Sequence, residues 1–118
     1  MDDELAERTC KPCEGGVPPL APEQVQKLLR ALHPDWALSG DGLSIARTFE
    51  FPAYSRTLGF ANAVAWIAIT EGHHPDLTVS YGRCRVSFTT HAVGGLTDND
   101  FICAAKVDRL PGIAPGTR

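Results

Sequence analysis

The sequence predicts an α+β domain: a four-stranded antiparallel sheet with three helices packed on one face, in the order helix, two strands, helix, two strands, helix. Three observations carry this expectation. Two pairs of segments alternate apolar and polar residues about short turns, Ser39-Gly40-Asp41-Gly42 and Gly82-Arg83. Three further segments have helical spacing, one before, one between and one after the strand pairs. No repeat is visible beyond this duplicated helix–hairpin unit.

The first helix is expected over Pro22–Leu32. Pro22 suits the first helical position, and Val25, Leu28, Leu29 and Leu32 make one apolar stripe. His33-Pro34-Asp35 ends it. Trp36–Leu38 and Leu43–Phe51 read as strands. Leu43, Ile45, Arg47, Phe49 and Phe51 share one face, so the sheet is covered on one side and open on the other. The central helix is expected from Pro52 to about Glu71. Between Leu58 and Ile69 only Asn62 is polar, so its own sheet cannot cover every side of the helix. Gly72 is a candidate C-terminal cap. Leu77–Tyr81 and Cys84–His91 read as the second strand pair. Leu77, Val79, Tyr81, Cys84, Val86 and Phe88 are expected to face the core, with Arg85, Ser87, Thr89 and His91 on the polar face. Gly94-Gly95 breaks the last strand. Thr97 then opens a helix running to about Leu110, with Asp100 completing a capping box.

The expected domain is residues 22–110, between a flexible N-terminal tail (1–21) and a C-terminal tail (111–118). The length of 118 residues and the 43% apolar and 21% charged composition fit one globular domain and exclude wholesale disorder. The net charge of −3 gives no electrostatic footprint for nucleic acid or anionic lipid. No run approaches the roughly 20 apolar residues of a membrane span. The acidic start Met1-Asp2-Asp3-Glu4 has the wrong sign for a secretory signal, and sparse cysteines imply a reducing, cytoplasmic setting. Cys10-Lys11-Pro12-Cys13 has the spacing of half a zinc site or a redox pair, but no second such pair and no preceding strand accompany it. The expectation is therefore two ordinary thiols in a tail that contributes nothing to activity.

The chemistry concentrates in Glu71-Gly72-His73-His74-Pro75, with His91 and Asp100 further on. Three of the four histidines lie within 19 residues, at a helix end and a strand end that meet at one rim of such a sheet. Imidazole gives or takes a proton near neutrality, which suits general acid–base work; capping and loop roles are the plain alternative. The same three histidines with Asp100 could form a zinc or iron centre. Adjacent side chains diverge, however, and helical ligand pairs are normally three or four apart, which argues against that site. Cys84 and Cys103 fall at core-facing positions, and no base accompanies Ser87 or Thr89. Gly94-Gly95 lacks the pattern of a nucleotide-binding loop.

The run Glu71-Gly72-His73-His74-Pro75-Asp76, then Tyr81, Thr89-Thr90-His91 and Gly94-Gly95-Leu96-Thr97-Asp98-Asn99-Asp100, closely resembles the pterin-4a-carbinolamine dehydratases. The likeness reaches back through Phe60–Ala65 and Trp36 and covers about 17–110. A histidine 17 residues after His74 and an aspartate 9 further on are specific to the pattern. The resemblance implies dehydration of 4a-hydroxytetrahydropterin to quinonoid dihydropterin, in tetrahydrobiopterin and pterin recycling, with neither metal nor organic cofactor. It implies that His73, His74 and His91 line the pterin pocket, His73 and His74 at the leaving oxygen and His91 at proton removal. Asp100 would orient or charge-stabilise a histidine, Thr89 and Thr90 would hold the pterin edge, and Trp36 and Pro75 would bind substrate beside them. A homotetramer built of dimers, or a dimer, is implied, with a pterin-dependent aromatic hydroxylase supplying substrate.

One departure stands out. Many family members carry a glutamate or similar polar residue four positions before the first histidine, where this chain has Ile69. A charge there would favour imidazolium, so the expectation is a histidine that loses its proton at lower pH than in relatives. The alternative function is a non-catalytic module, a transcriptional coactivator or enzyme-assembly helper docking through the apolar central helix. The three histidines and Asp100 favour the enzyme, since an adaptor has no need of them.

Overall fold

The structure, a computed structural model, describes residues 2–12 and 17–110. The element order is α1 (Asp2–Ala6), α2 (Pro22–Arg30), β1 (Ala37–Leu38), β2 (Ile45–Glu50), α3 (Tyr54–Glu71), β3 (Asp76–Val79), β4 (Arg83–Phe88), a 3-10 turn (His91–Val93) and α4 (Asp98–Asp108). The strands form one antiparallel sheet in the order β1-β2-β4-β3. The expected α+β class and four-stranded antiparallel sheet are both present.

Period-two alternation fixes which side of the sheet is buried. In β2 and β4 the opposed pairs Ile45–Phe88, Arg47–Val86 and Phe49–Cys84 all face the core. The alternate pairs place Thr48 opposite Arg85 and Glu50 opposite Arg83 on the open face, the second a favourable opposite-charge pair. Arg47 is the polar exception inside. Its Nη1 donates to Asp108 Oδ1 at 2.8 Å, and its guanidinium lies 4.3 Å above the Phe49 ring.

Helix α3 buries Thr57, Phe60, Ala61 and Val64, one stripe at helical spacing. Its opposite side leaves Leu58, Trp66 and Ile69 exposed. Gly72 caps the helix in the left-handed conformation at φ 69°, where a side chain would be strained. Thr97 caps α4 as expected. Its hydroxyl accepts from Asn99 N–H, and Asp100 Oδ2 accepts from Thr97 N–H at 2.9 Å. The described helices include none long and apolar enough to cross a membrane.

Four expectations need correction. The N-terminal segment is not a loose tail over its described residues: Asp2–Ala6 is a helix, Leu5 and Ala6 are buried, and α1 packs on α4. The cause lies in α4, where Phe101, Ile102, Cys103, Ala104 and Ala105 are all buried. A helix apolar on consecutive positions needs cover on its outer side as well as from the sheet. Second, His91 is not on the strand; β4 ends at Phe88 and His91 opens the 3-10 turn. Third, Val79 and Tyr81 do not face the core. They lie in and beyond the edge strand β3, and Tyr81, 68% exposed, stacks on Tyr54 instead. Fourth, Leu43 is exposed, because β2 begins only at Ile45. Cys13 and the C-terminal segment 111–118 lie outside the described residues.

Candidate active site

The left-handed turn at Gly72 releases the chain from α3, and His73 and His74 follow it before β3 begins. The two rings part company. His73 turns inward: its Nε2 lies 2.6 Å from Asp100 Oδ1, and its ring stacks on Phe88 at 6.0 Å and 9°. His74 is exposed and stacks on His91, centroids 5.8 Å apart and planes at 21°. All three histidines line one cavity of about 180 Å³, together with Lys11, Gly72, Thr89, Thr90, Ala92 and Asn99. That volume is small beside the roughly 300–1,000 Å³ of drug-sized pockets, and it suits a compact ligand.

Asp100 is fully buried behind this cavity and does not line it. Its carboxylate is held by three donors: His73 Nε2, the Thr90 hydroxyl at 2.8 Å and Thr97 N–H at 2.9 Å. A carboxylate can only accept, so Nε2 of His73 carries the proton and Nδ1 keeps the lone pair while the ring is neutral. Asp100 is thus a positioning residue for His73, and the same carboxylate completes the α4 cap.

The loop between β4 and α4 is equally tied. Thr90 bridges backbone to Gly95, and the Thr90 and Thr97 hydroxyls are 2.9 Å apart. Pro19 packs so closely on Gly95 that an added Cβ would meet it at 2.9 Å. Thr89 lines the cavity, with its hydroxyl on Leu43 O at 2.5 Å. The Thr90 hydroxyl is committed to Asp100, so Thr90 acts by holding the carboxylate.

Trp36 and Pro75 are not brought to the cavity lining. Trp36 is buried in the core, its Nε1 donating to Asp108 Oδ2 at 2.8 Å and its ring packed on Phe49 and Phe88. Burial pushes the Asp108 carboxyl up, against the opposing pull of Trp36 and Arg47. Ile69 is 71% exposed and is also absent from the cavity wall. Among the described residues, no three His, Cys, Asp or Glu side chains converge as a metal-ligating group. Sequence reasoning missed Lys11, Asn99 and the Phe88 platform. Asn99 sits within the recognised run and Phe88 was assigned to the core, but nothing local marks Lys11.

The family model for pterin 4 alpha carbinolamine dehydratase matches residues 18–110. The chain belongs to the pterin-4a-carbinolamine dehydratase family. A relative from Nitrosomonas eutropha, provisionally named for this dehydratase, is 57% identical over 107 residues, 91% of this chain and 93% of its own. A similarly named Legionella pneumophila protein is 49% identical over 110 residues, 93% of this chain and 97% of its own. A solved Brucella melitensis structure titled transcriptional coactivator/pterin dehydratase superposes with a TM-score of 0.72 at 31% identity, over 76% of this chain and 95% of that one. A pterin dehydratase-like protein described as a RuBisCO assembly factor superposes at 0.59 and 24% identity, over 70% of this chain and 95% of its own, which shows a shared fold. The family model begins at residue 18, after Lys11, whereas the Legionella pneumophila alignment, 110 of the 118 residues, extends over Lys11.

Proposed function

We propose that the protein dehydrates 4a-hydroxytetrahydropterin to quinonoid dihydropterin by histidine acid–base catalysis, without a metal or organic cofactor, as a step in pterin recycling. The observation that carries the reading is the convergence on one cavity of the Asp100-held His73 and the His74–His91 pair. The C4a–O bond breaks as a histidine protonates the departing hydroxyl, which leaves as water. The N5–H proton passes to a second imidazole, and the nitrogen lone pair forms the N5=C4a double bond. His73, held in place by Asp100, serves with His74 at the leaving oxygen, and His91 takes the N5 proton. The imidazoles then restore their starting protonation through solvent at the open mouth.

Titrating 7,8-dihydrobiopterin, a stable pterin analogue, into the protein tests the pocket. The ring resonances of His73, His74 and His91 should shift together, with His33 unmoved. Shifts confined to other residues would overturn the assignment of the cavity.

A second reading, a docking module, draws on the exposed Leu58, Trp66 and Ile69 of α3 and on the coactivator and assembly-factor titles of the structural neighbours. Leu58, Trp66 and Ile69 do not line the histidine cavity, so the two roles are compatible.

A further inference from the structure

The segment joining α1 to the domain reaches the histidine cavity, although it lies outside residues 18–110 that the family model matches. It is strapped down at successive residues. Cys10 N–H donates to Glu71 Oε1 at 2.9 Å, at the end of the helix that delivers His73. Cys10 Sγ lies 3.4 Å from Cys103 Sγ on α4. Lys11 is gripped in both directions by one buried side chain: its N–H donates to Asn99 Oδ1 at 3.0 Å, and Asn99 Nδ2 donates to its carbonyl at 2.6 Å. The reciprocal pair fixes the backbone of Lys11 at the cavity wall, as a strand ladder would. The other described lining residues are imidazoles, hydroxyls, an amide and small groups, so Lys11 is the permanent cation among them.

We propose that Lys11 is a substrate-binding residue of this pocket, and that Asn99 is the positioning residue that holds it there. The proposal rests on the pterin reading of the site and deepens it. A pterin ring presents a carbonyl oxygen and ring nitrogens as acceptors, and imidazoles engaged in proton transfer cannot also be fixed donors to them. The Lys11 ammonium donates to that acceptor edge, orienting the ring with C4a and N5 toward the histidines. A charged hydrogen bond of this kind outweighs a neutral one.

The test measures 7,8-dihydrobiopterin affinity and steady-state dehydration for wild type, K11A, K11R, N99A and K11A/N99A. K11A should raise Kd and KM about tenfold or more while kcat changes less than threefold, which corresponds to loss of one charged hydrogen bond. K11R should stay within a few-fold of wild type. N99A should lose affinity too, and adding K11A to it should cost at most a further twofold, because the two act as a unit. Wild-type affinity in K11A, or K11R as impaired as K11A, would overturn the role of Lys11. Full additivity of K11A and N99A would overturn the clamp. Those results leave the dehydratase reading standing if the wild type binds pterin and turns over. A wild type that binds no pterin would overturn both.

Discussion

His73 is defined by what lies behind it. The 2.6 Å contact to a fully buried Asp100 fixes the tautomer and orientation of the ring, whereas the exposed His74 and His91 rings stack on each other. Asp100→Asn should therefore leave the ring in place but free its tautomer, since an amide can donate to Nε2 as well as accept from it, lowering kcat by about 10²-fold in a steady-state dehydration assay. Asp100→Ala should in addition destabilise the fold, since the Thr90 hydroxyl and Thr97 N–H lose their acceptor at about 1–3 kcal/mol each; urea unfolding would read this. His74→Ala and His91→Ala should each slow dehydration by about 10²-fold or more with unchanged urea midpoints. The cysteines behave differently. The Cys10 hydrogen bond and burial push the Cys103 thiol far up, and burial raises Cys84. Thiolate is the reactive form, so iodoacetamide at pH 8 should label neither residue in the folded protein and both in urea. Native labelling of Cys103 would contradict the packed strap.

Much was legible at the level of elements, and the misses share a cause. Period two in β2 and β4, the Gly72 cap and the Thr97–Asp100 capping box could all be read locally, because each depends on residues within one turn or one hairpin. The neighbours of His73 could be foreseen only from the family pattern, since Asp100 is 27 residues away. Helix α1 is short and nearly all polar, and its one large apolar side chain, Leu5, gives no periodicity. The signal lay instead in α4, whose unbroken apolar run from Phe101 to Ala105 demanded a second cover. Trp36 shows the limit of carrying roles over by position: here its indole is spent on Asp108. Ile69 gives the sharper case. Its exposed side chain is outside the cavity wall, so the expected effect on histidine protonation has no contact to act through. Ile69→Glu should leave the pH–rate profile within about 0.2 units of wild type, a small fraction of a one-unit shift. A raised alkaline limb would show that position 69 communicates with the imidazoles.

At the scale of the whole molecule, the site and the exposed side of α3 are separate assets. Trp66 is 67% exposed beside Ile69 and Leu58, an apolar face of the kind that marks an interface. We expect the protein to be an oligomer through this face, a tetramer or dimer, and Trp66→Glu to shift light scattering at micromolar concentration toward the 12.7 kDa monomer. A wild type that is already monomeric would contradict that expectation. The central claim is the acid–base reading of the histidine cavity, and direct turnover tests it most plainly. Chemically generated 4a-hydroxytetrahydrobiopterin is mixed with the protein in a stopped-flow cell, and formation of quinonoid dihydropterin is followed by absorbance. Wild type should accelerate water loss well beyond the spontaneous rate, unaffected by prior treatment with a chelator, and His74→Ala/His91→Ala should fall back toward that rate. A wild type no faster than buffer, or activity abolished by chelation and restored by added zinc or iron, would contradict the account.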